Sequence, residues 1–132
     1  MNVDRLKELF TNDTLNALFP EDRADQFFDA LFGDASEGAF DINLEYDRAE
    51  DGAGNIHFKL MLIERPGKCL ACNLTYGLPE VFSRHPIINI NGVVQEIDKL
   101  LGDDIQCTGW KLGSTISASS SLHIIPVIVS IS

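Results

Sequence analysis

Strict alternation of apolar and polar residues over positions 40–47 constrains this chain more than any other feature. The apolar positions are Phe40, Ile42, Leu44 and Tyr46, and the positions between them hold three acids and one asparagine. Successive side chains of a β-strand point to opposite faces, so this spacing predicts a strand with one buried and one wet, acidic face. A second run of the same period, over residues 56–62, predicts a neighbouring strand.

Two connections shape the predicted sheet. The stretch from Asp51 to Asn55 is rich in glycine and polar residues and predicts a loop. Pro66 and Gly67 occupy the central positions that a type II turn favours. A third strand is predicted over residues 69–76, so residues 40–76 form a three-stranded meander.

The first third of the chain is predicted to be helical. The hydroxyl and carboxyl side chains of residues 11–14 are typical of a helix N-terminus. A later helix is predicted to begin in its first turn with Pro20 and to end at Gly33. Its helical spacing predicts one buried stripe, made of Ala24, Phe27, Phe28 and Leu31.

The last third is predicted to hold one helix and two strands. Asn91 is the expected N-cap of this helix and Gly102 its stop. The strands are expected near residues 106–117 and 121–131. The whole chain, residues 1–132, is therefore predicted to be a single α+β domain with an antiparallel sheet of about five strands and its helices on one face.

The final strand, Leu122 to Ile131, is apolar at almost every position. An exposed edge of this kind invites aggregation, so the strand must be central, covered by a helix or paired with another subunit. Pro126 lacks a backbone N–H and favours a bulge or an edge position. A homodimer formed through this strand is therefore one prediction.

The net charge of −10 is concentrated in residues 21–51, where eleven acids oppose two arginines. Nucleic-acid binding requires clustered lysine and arginine, which the chain lacks, and the same argument disfavours anionic membranes. The charge favours either a solvated surface or a docking face for a protein with a basic surface. No membrane span, no signal peptide and an odd count of three cysteines predict a cytoplasmic protein with reduced thiols.

The motif Cys69-Leu70-Ala71-Cys72 is the one pattern with metal or redox chemistry. With Cys107 and a histidine such as His85, it supplies four ligands for zinc. In a strand, however, residues three apart point to opposite faces, so Cys69 and Cys72 are expected to diverge. No cofactor is therefore expected, and a small zinc-binding protein is an alternative.

The stretch from Tyr76 to Pro86 carries two prolines, a glycine, two aromatic residues and an Arg-His pair. Loops that combine conformationally special residues with aromatic and charged side chains often carry functional sites. A binding site, or in a further alternative an enzyme active site, is predicted near Tyr76, Arg84 and His85. The other interpretation is a packed crossover between the sheet and the following helix.

Small size, strong acidity and the predicted order of elements together resemble dimeric type III secretion chaperones. The resemblance is one of architecture, and the terminal helix usual in that class is missing here. It implies a protein that escorts another polypeptide. The function predicted first is accordingly a non-enzymatic interaction protein, an adaptor or escort with an acidic face.

Overall fold

A computed structural model gives the structure of the chain. It describes residues 3–34, 36, 38–50, 54–68, 77–102 and 105–131, with the backbone alone for residues 3–5 and 50.

The described residues form five helices and five strands. The helices are α1 (Val3–Leu9), α2 (Asn12–Leu18), α3 (Arg23–Phe32), α4 (Leu78–Arg84) and α5 (Ile90–Leu101). The strands are β1 (Phe40–Glu50), β2 (Asn55–Glu64), β3 (Cys107–Leu112), β4 (Ile116–Ser119) and β5 (Leu122–Ile131). Helices combined with an open antiparallel sheet of five strands confirm the predicted α+β class.

The sheet runs β1-β2-β5, and both β3 and β4 then pair with the far side of β5. Leu60 opposes Leu44 on β1 and Ile125 on β5, so these three side chains lie on the same face. The first two strands of the predicted meander are therefore confirmed. Its third strand, residues 69–76, lies outside the described residues.

One face of the sheet forms the core with the helices. Residues at alternate positions of β1, β2 and β5 are buried against apolar side chains of all the helices. Phe27 of α3 packs edge-on against Phe82 of α4, with ring centroids 5.4 Å apart. This layer of helices lies on the core face, as the sequence predicts.

Strand β5 is central, and Pro126 shapes its neighbour. The carbonyl oxygen of Pro126 accepts a hydrogen bond from the N–H of Gly113 at 2.8 Å, so this residue's main-chain groups face β3 and β4. Proline offers no N–H on that side, and the partner strand is interrupted there between Leu112 and Ile116. The edge or bulge predicted for Pro126 is therefore wrong: the irregularity falls in the adjacent strand, which the sequence predicts as one unbroken strand near 106–117.

Two details of the helices differ from the sequence prediction. Leu31 is 56% exposed, because no described element covers the last turn of α3. Helix α5 begins earlier than expected, and its N-cap is Asn89, not Asn91. Asn89 adopts a left-handed conformation with φ of 49°, and its side-chain oxygen accepts a hydrogen bond from the N–H of Gly92 at 3.2 Å.

We expect Asn89→Ala to lower the free energy of unfolding by about 1–3 kcal/mol, because it removes the cap and places an ordinary β-carbon at positive φ. Asn89→Gly should cost less, since glycine adopts this conformation freely. Asn91→Ala is the matched control: it removes only a long, exposed hydrogen bond of 3.4 Å from the indole N–H of Trp110, so it should cost less than about 0.5 kcal/mol. Urea denaturation checks all three, and an equal loss from Asn91→Ala would contradict the assignment of the cap.

Candidate functional site

The face of the sheet opposite the core is apolar along its middle. Cross-strand pairs place Ile63 opposite Leu122, and Ile124 opposite both Met61 and Ile116. All of these side chains point away from the helices, because their neighbours along each strand point into the core. We call this surface the open face, and its apolar residues are Met61, Ile63, Ile116, Leu122, Ile124, Pro126 and Ile128.

The open face retains contact with solvent. Ile116 is 51% exposed and Ile63 is 38% exposed, while its other apolar residues are half-buried. Within the part of the chain that the structure describes, no helix lies over this surface. The wet face of an antiparallel sheet is normally polar, so an apolar patch on it is a candidate interaction surface.

Acidic residues border the open face along β1. Asp41, Asn43 and Glu45 lie in register with Ile63, Met61 and Lys59 on the neighbouring strand. A cavity of about 410 Å³ joins this border to the start of α3. We call it the acidic cavity, and its lining residues are Glu21, Asp22, Asp25, Asp41, Asn43 and Ile63.

Arg65 ties the acidic cavity together. Its Nη2 lies 2.7 Å from Asp25 Oδ1, and its Nε lies 3.0 Å from Asp41 Oδ1. The guanidinium carbon also sits 5.4 Å from the centroid of the Phe28 ring. This side chain therefore joins the end of β2 to both α3 and β1, and it fixes the position of two of the four carboxylates.

The predicted site near Tyr76, Arg84 and His85 is only partly described. Arg84 is exposed and pairs with Glu80 one turn earlier on α4. His85 is the C-cap of α4, where its ring packs edge-on against Phe27 at 4.8 Å. Its Nδ1 accepts a hydrogen bond from the N–H of Ile87 at 3.2 Å, which is the contact of a packed crossover. Tyr76 lies outside the described residues, so a site there stays a prediction.

The predicted zinc ligands are also incompletely described, since Cys69 and Cys72 fall outside the described ranges. Cys107 is half-buried in β3, and its N–H donates to Asp98 Oδ1 at 2.8 Å. Burial, and then the adjacent Asp98 carboxylate, raise the pKa of the Cys107 thiol to about 11. Among the described residues, no group of three or more His, Cys, Asp or Glu side chains could hold a metal ion. Zinc binding stays an untested alternative.

His123 is buried on the core face, where only 4% of it is exposed. Its Nε2 lies 3.3 Å from the hydroxyl oxygen of Ser117 on the paired strand. A serine beside a histidine is the arrangement of an activated nucleophile. Here His123 is buried in the core while Ser117 is exposed, so we interpret the contact as the hydrogen bond of a core histidine.

The open face is the candidate site that the sequence analysis did not assemble. The signal was present in the final strand, whose alternate residues Ile124, Pro126 and Ile128 are as apolar as the buried ones between them. A strand that is apolar on both faces needs cover on both. The helices cover one face, and the other, which has no cover among the described residues, is the candidate interaction surface.

Removing the Arg65 side chain should separate the start of α3 from β1. We expect Arg65→Ala to lower the free energy of unfolding by about 1–3 kcal/mol, since it breaks two charge-assisted contacts and leaves carboxylates facing each other. Arg48→Ala is the matched control: Arg48 is 59% exposed and should contribute less than about 0.5 kcal/mol. Equal effects in urea denaturation would show that Arg65 has no special role.

Cys107 should react slowly with alkylating reagents in the folded protein, because its thiol stays protonated. In a Cys69→Ser, Cys72→Ser background, we expect iodoacetamide at pH 8 to label it about 100-fold more slowly than the urea-unfolded chain. Asp98→Asn keeps the oxygen acceptor but removes the charge, and should speed labelling severalfold. Since folding raises this pKa, its contribution to stability is present below pH 9.0 and is lost as the pH rises through about 11. Rapid labelling of the folded protein would contradict this assignment.

No helix of the described chain is both long enough and apolar enough to cross a membrane. No protein-family model, no curated protein and no solved structure matches the chain.

Proposed function

We propose that this protein is a non-enzymatic interaction protein that binds another polypeptide through the open face. The single observation that carries the proposal is the apolar row through the middle of that face, which lacks cover in the described part of the chain. Ile116 and Ile63 are large side chains held at a fixed spacing by the sheet. Burying such residues against a partner is favourable by about 25 cal/mol for each Å² of apolar surface removed from water.

The charges around the open face favour a partner with a basic surface. Asp41 and Glu45 border the apolar row, and the acidic cavity adds the carboxylates of Glu21 and Asp22. Lys59 and Lys111 also lie on this face, so the acidic excess is on its β1 side. Complementary charge speeds encounter and selects among partners more than it adds affinity. The partner surface that fits is therefore apolar in its middle and flanked by lysine or arginine.

Dimerisation and cytoplasmic location remain predictions. Strand β5 pairs with β2 on one side and with β3 and β4 on the other, so its backbone edge no longer requires a second subunit. The exposed edge that suggested a homodimer through β5 is therefore absent among the described strands, and the homodimer has no other support. The zinc and enzyme alternatives depend on Cys69, Cys72 and Tyr76, and they are not developed further.

The test is recovery of a partner by the full-length protein from extract of its own cells at low salt. We expect a polypeptide that Ile116→Asp and Ile63→Asp fail to recover and that Val81→Asp still recovers. Val81, on α4, is the matched control, because it is 44% exposed and apolar but lies away from the open face. Recovery should fall as salt rises, since the acidic border contributes.

Circular dichroism and urea denaturation must show that all three variants fold. A set of bound proteins that is identical for the open-face variants and for Val81→Asp would overturn the proposal, as would recovery of nothing at low salt.

A further inference from the structure

Strand β1 is an edge of the sheet, and its outer side has no strand partner among the described residues. The carbonyl of Ala39 accepts a hydrogen bond from the N–H of Arg65 at 3.0 Å, so residue 39 turns its main-chain groups toward β2. The main-chain N–H and C=O groups of successive residues in a strand point alternately toward its two neighbours in the sheet. Those of Ile42 and Leu44 consequently point away from β2, and they have no backbone partner among the described residues.

Two cavities lie end to end along this edge. The acidic cavity lies against residues 41 and 43, and a second cavity of about 450 Å³ lies against Glu45 and Tyr46. Helical residues form their opposite walls: the start of α3 for the first cavity, and the junction of α1 with α2, including Lys7, for the second. The two cavities therefore lie along the same strand whose outward main-chain groups have no partner among the described residues.

The charges beside the edge select its occupant. Asp41 and Glu45 stand on the open-face side, and Glu21 and Asp22 line the wall opposite. These four acids outnumber the one base of β2 beside them, Lys59, which lies in register with Glu45. Among the described residues that line the two cavities, Lys7 is the one base. Arg65, beside the acidic cavity, pairs with Asp25 and Asp41. An added strand that places lysine or arginine at alternate positions on that side meets opposite charge along its length.

A second copy of β1 is a poor occupant. Only Ile42, Leu44 and the other even-numbered residues here direct their main-chain groups outward, so an antiparallel copy must pair through them. Such a pairing sets the row Asp41, Asn43, Glu45 against the same row of the copy. Like charges placed opposite each other destabilise a sheet. The edge is thus protected against self-pairing by its own acids.

Building on the proposed function, we propose that β1 captures an extended basic segment of the partner as an additional strand of the sheet. Backbone hydrogen bonds from Ile42 and Leu44 hold the segment, and the acids beside them select its charge. The neighbouring open face then receives apolar parts of the same partner. This mode of recognition is β-strand addition.

The test uses a fluorescein-labelled peptide of alternating lysine and valine, eleven residues long to match β1. Two comparison peptides replace lysine by glutamate, or methylate every backbone nitrogen and leave the charge unchanged. We expect fluorescence anisotropy to show the first peptide binding at least about tenfold more tightly than either comparison peptide. In amide hydrogen exchange followed by NMR, the bound peptide should protect the N–H groups of Ile42 and Leu44, because these point outward, and leave those of Asn43 and Glu45 unchanged.

A charge reversal with a matched control locates the site. Glu45→Lys should weaken binding of the lysine peptide about fivefold or more, whereas Glu80→Lys, on α4, should leave it unchanged. Equal binding of the methylated peptide would overturn strand addition while leaving polypeptide binding through the open face intact. Failure of the lysine peptide to bind would also overturn it, and so would protection of Ile42 and Leu44 by self-association without peptide. The partner recovery that depends on Ile116 is independent of all three outcomes.

Discussion

The structure depends on one constraint: strand β5 is apolar on both faces, and a single layer of helices covers one of them. Ile125, Val127 and Val129 are buried in the core, while Ile124 and Ile128, on the other side of the same strand, stay half-buried. Hydrogen bonding to β2 on one side and to β3 and β4 on the other removes the edge hazard that so apolar a strand presents. Pairing satisfies the hydrogen-bonding groups of the β5 backbone, but it does not bury the apolar side chains of β5 on the open face.

The same arrangement separates the two kinds of surface that recognition needs. Apolar residues of the open face concentrate on β5 and its neighbours, whereas carboxylates concentrate on β1 and the start of α3. The apolar surface therefore borders an acidic one at the β1 side of the sheet. Arg65 holds that border in place by bridging Asp25 and Asp41. A rigid apolar middle with a charged rim is the usual anatomy of a protein interface.

Local signals in the sequence were enough to predict most elements but not their pairing. Period-two spacing over residues 40–47 predicts a two-faced strand wherever that strand lies in the sheet, and the structure confirms it. Pro126 was misplaced because the effect of a missing N–H depends on which neighbour it faces, and that follows from strand order rather than from nearby residues. The error at Asn91 has a local cause, since Asn89 lies two residues earlier and both side chains can cap a helix. The open face required strand order as well, because Ile63 and Ile116 are far apart in sequence.

Each of the longer helices has a single apolar stripe, and the core face uses it. Phe27 and Phe28 of α3 and Ile97 of α5 are buried against the core side of the sheet. Their outer sides are mostly polar, with Leu31, Phe32 and Leu100 exposed near the helix ends. No helix of the described chain can therefore turn over to cover the open face without exposing the core, at a cost of about 1.5–3 kcal/mol for each large side chain. A surface that covers the open face must therefore come from outside the described helices. If a partner polypeptide covers it, as we propose, the acids along β1 favour positive charge at the rim of that partner's apolar surface.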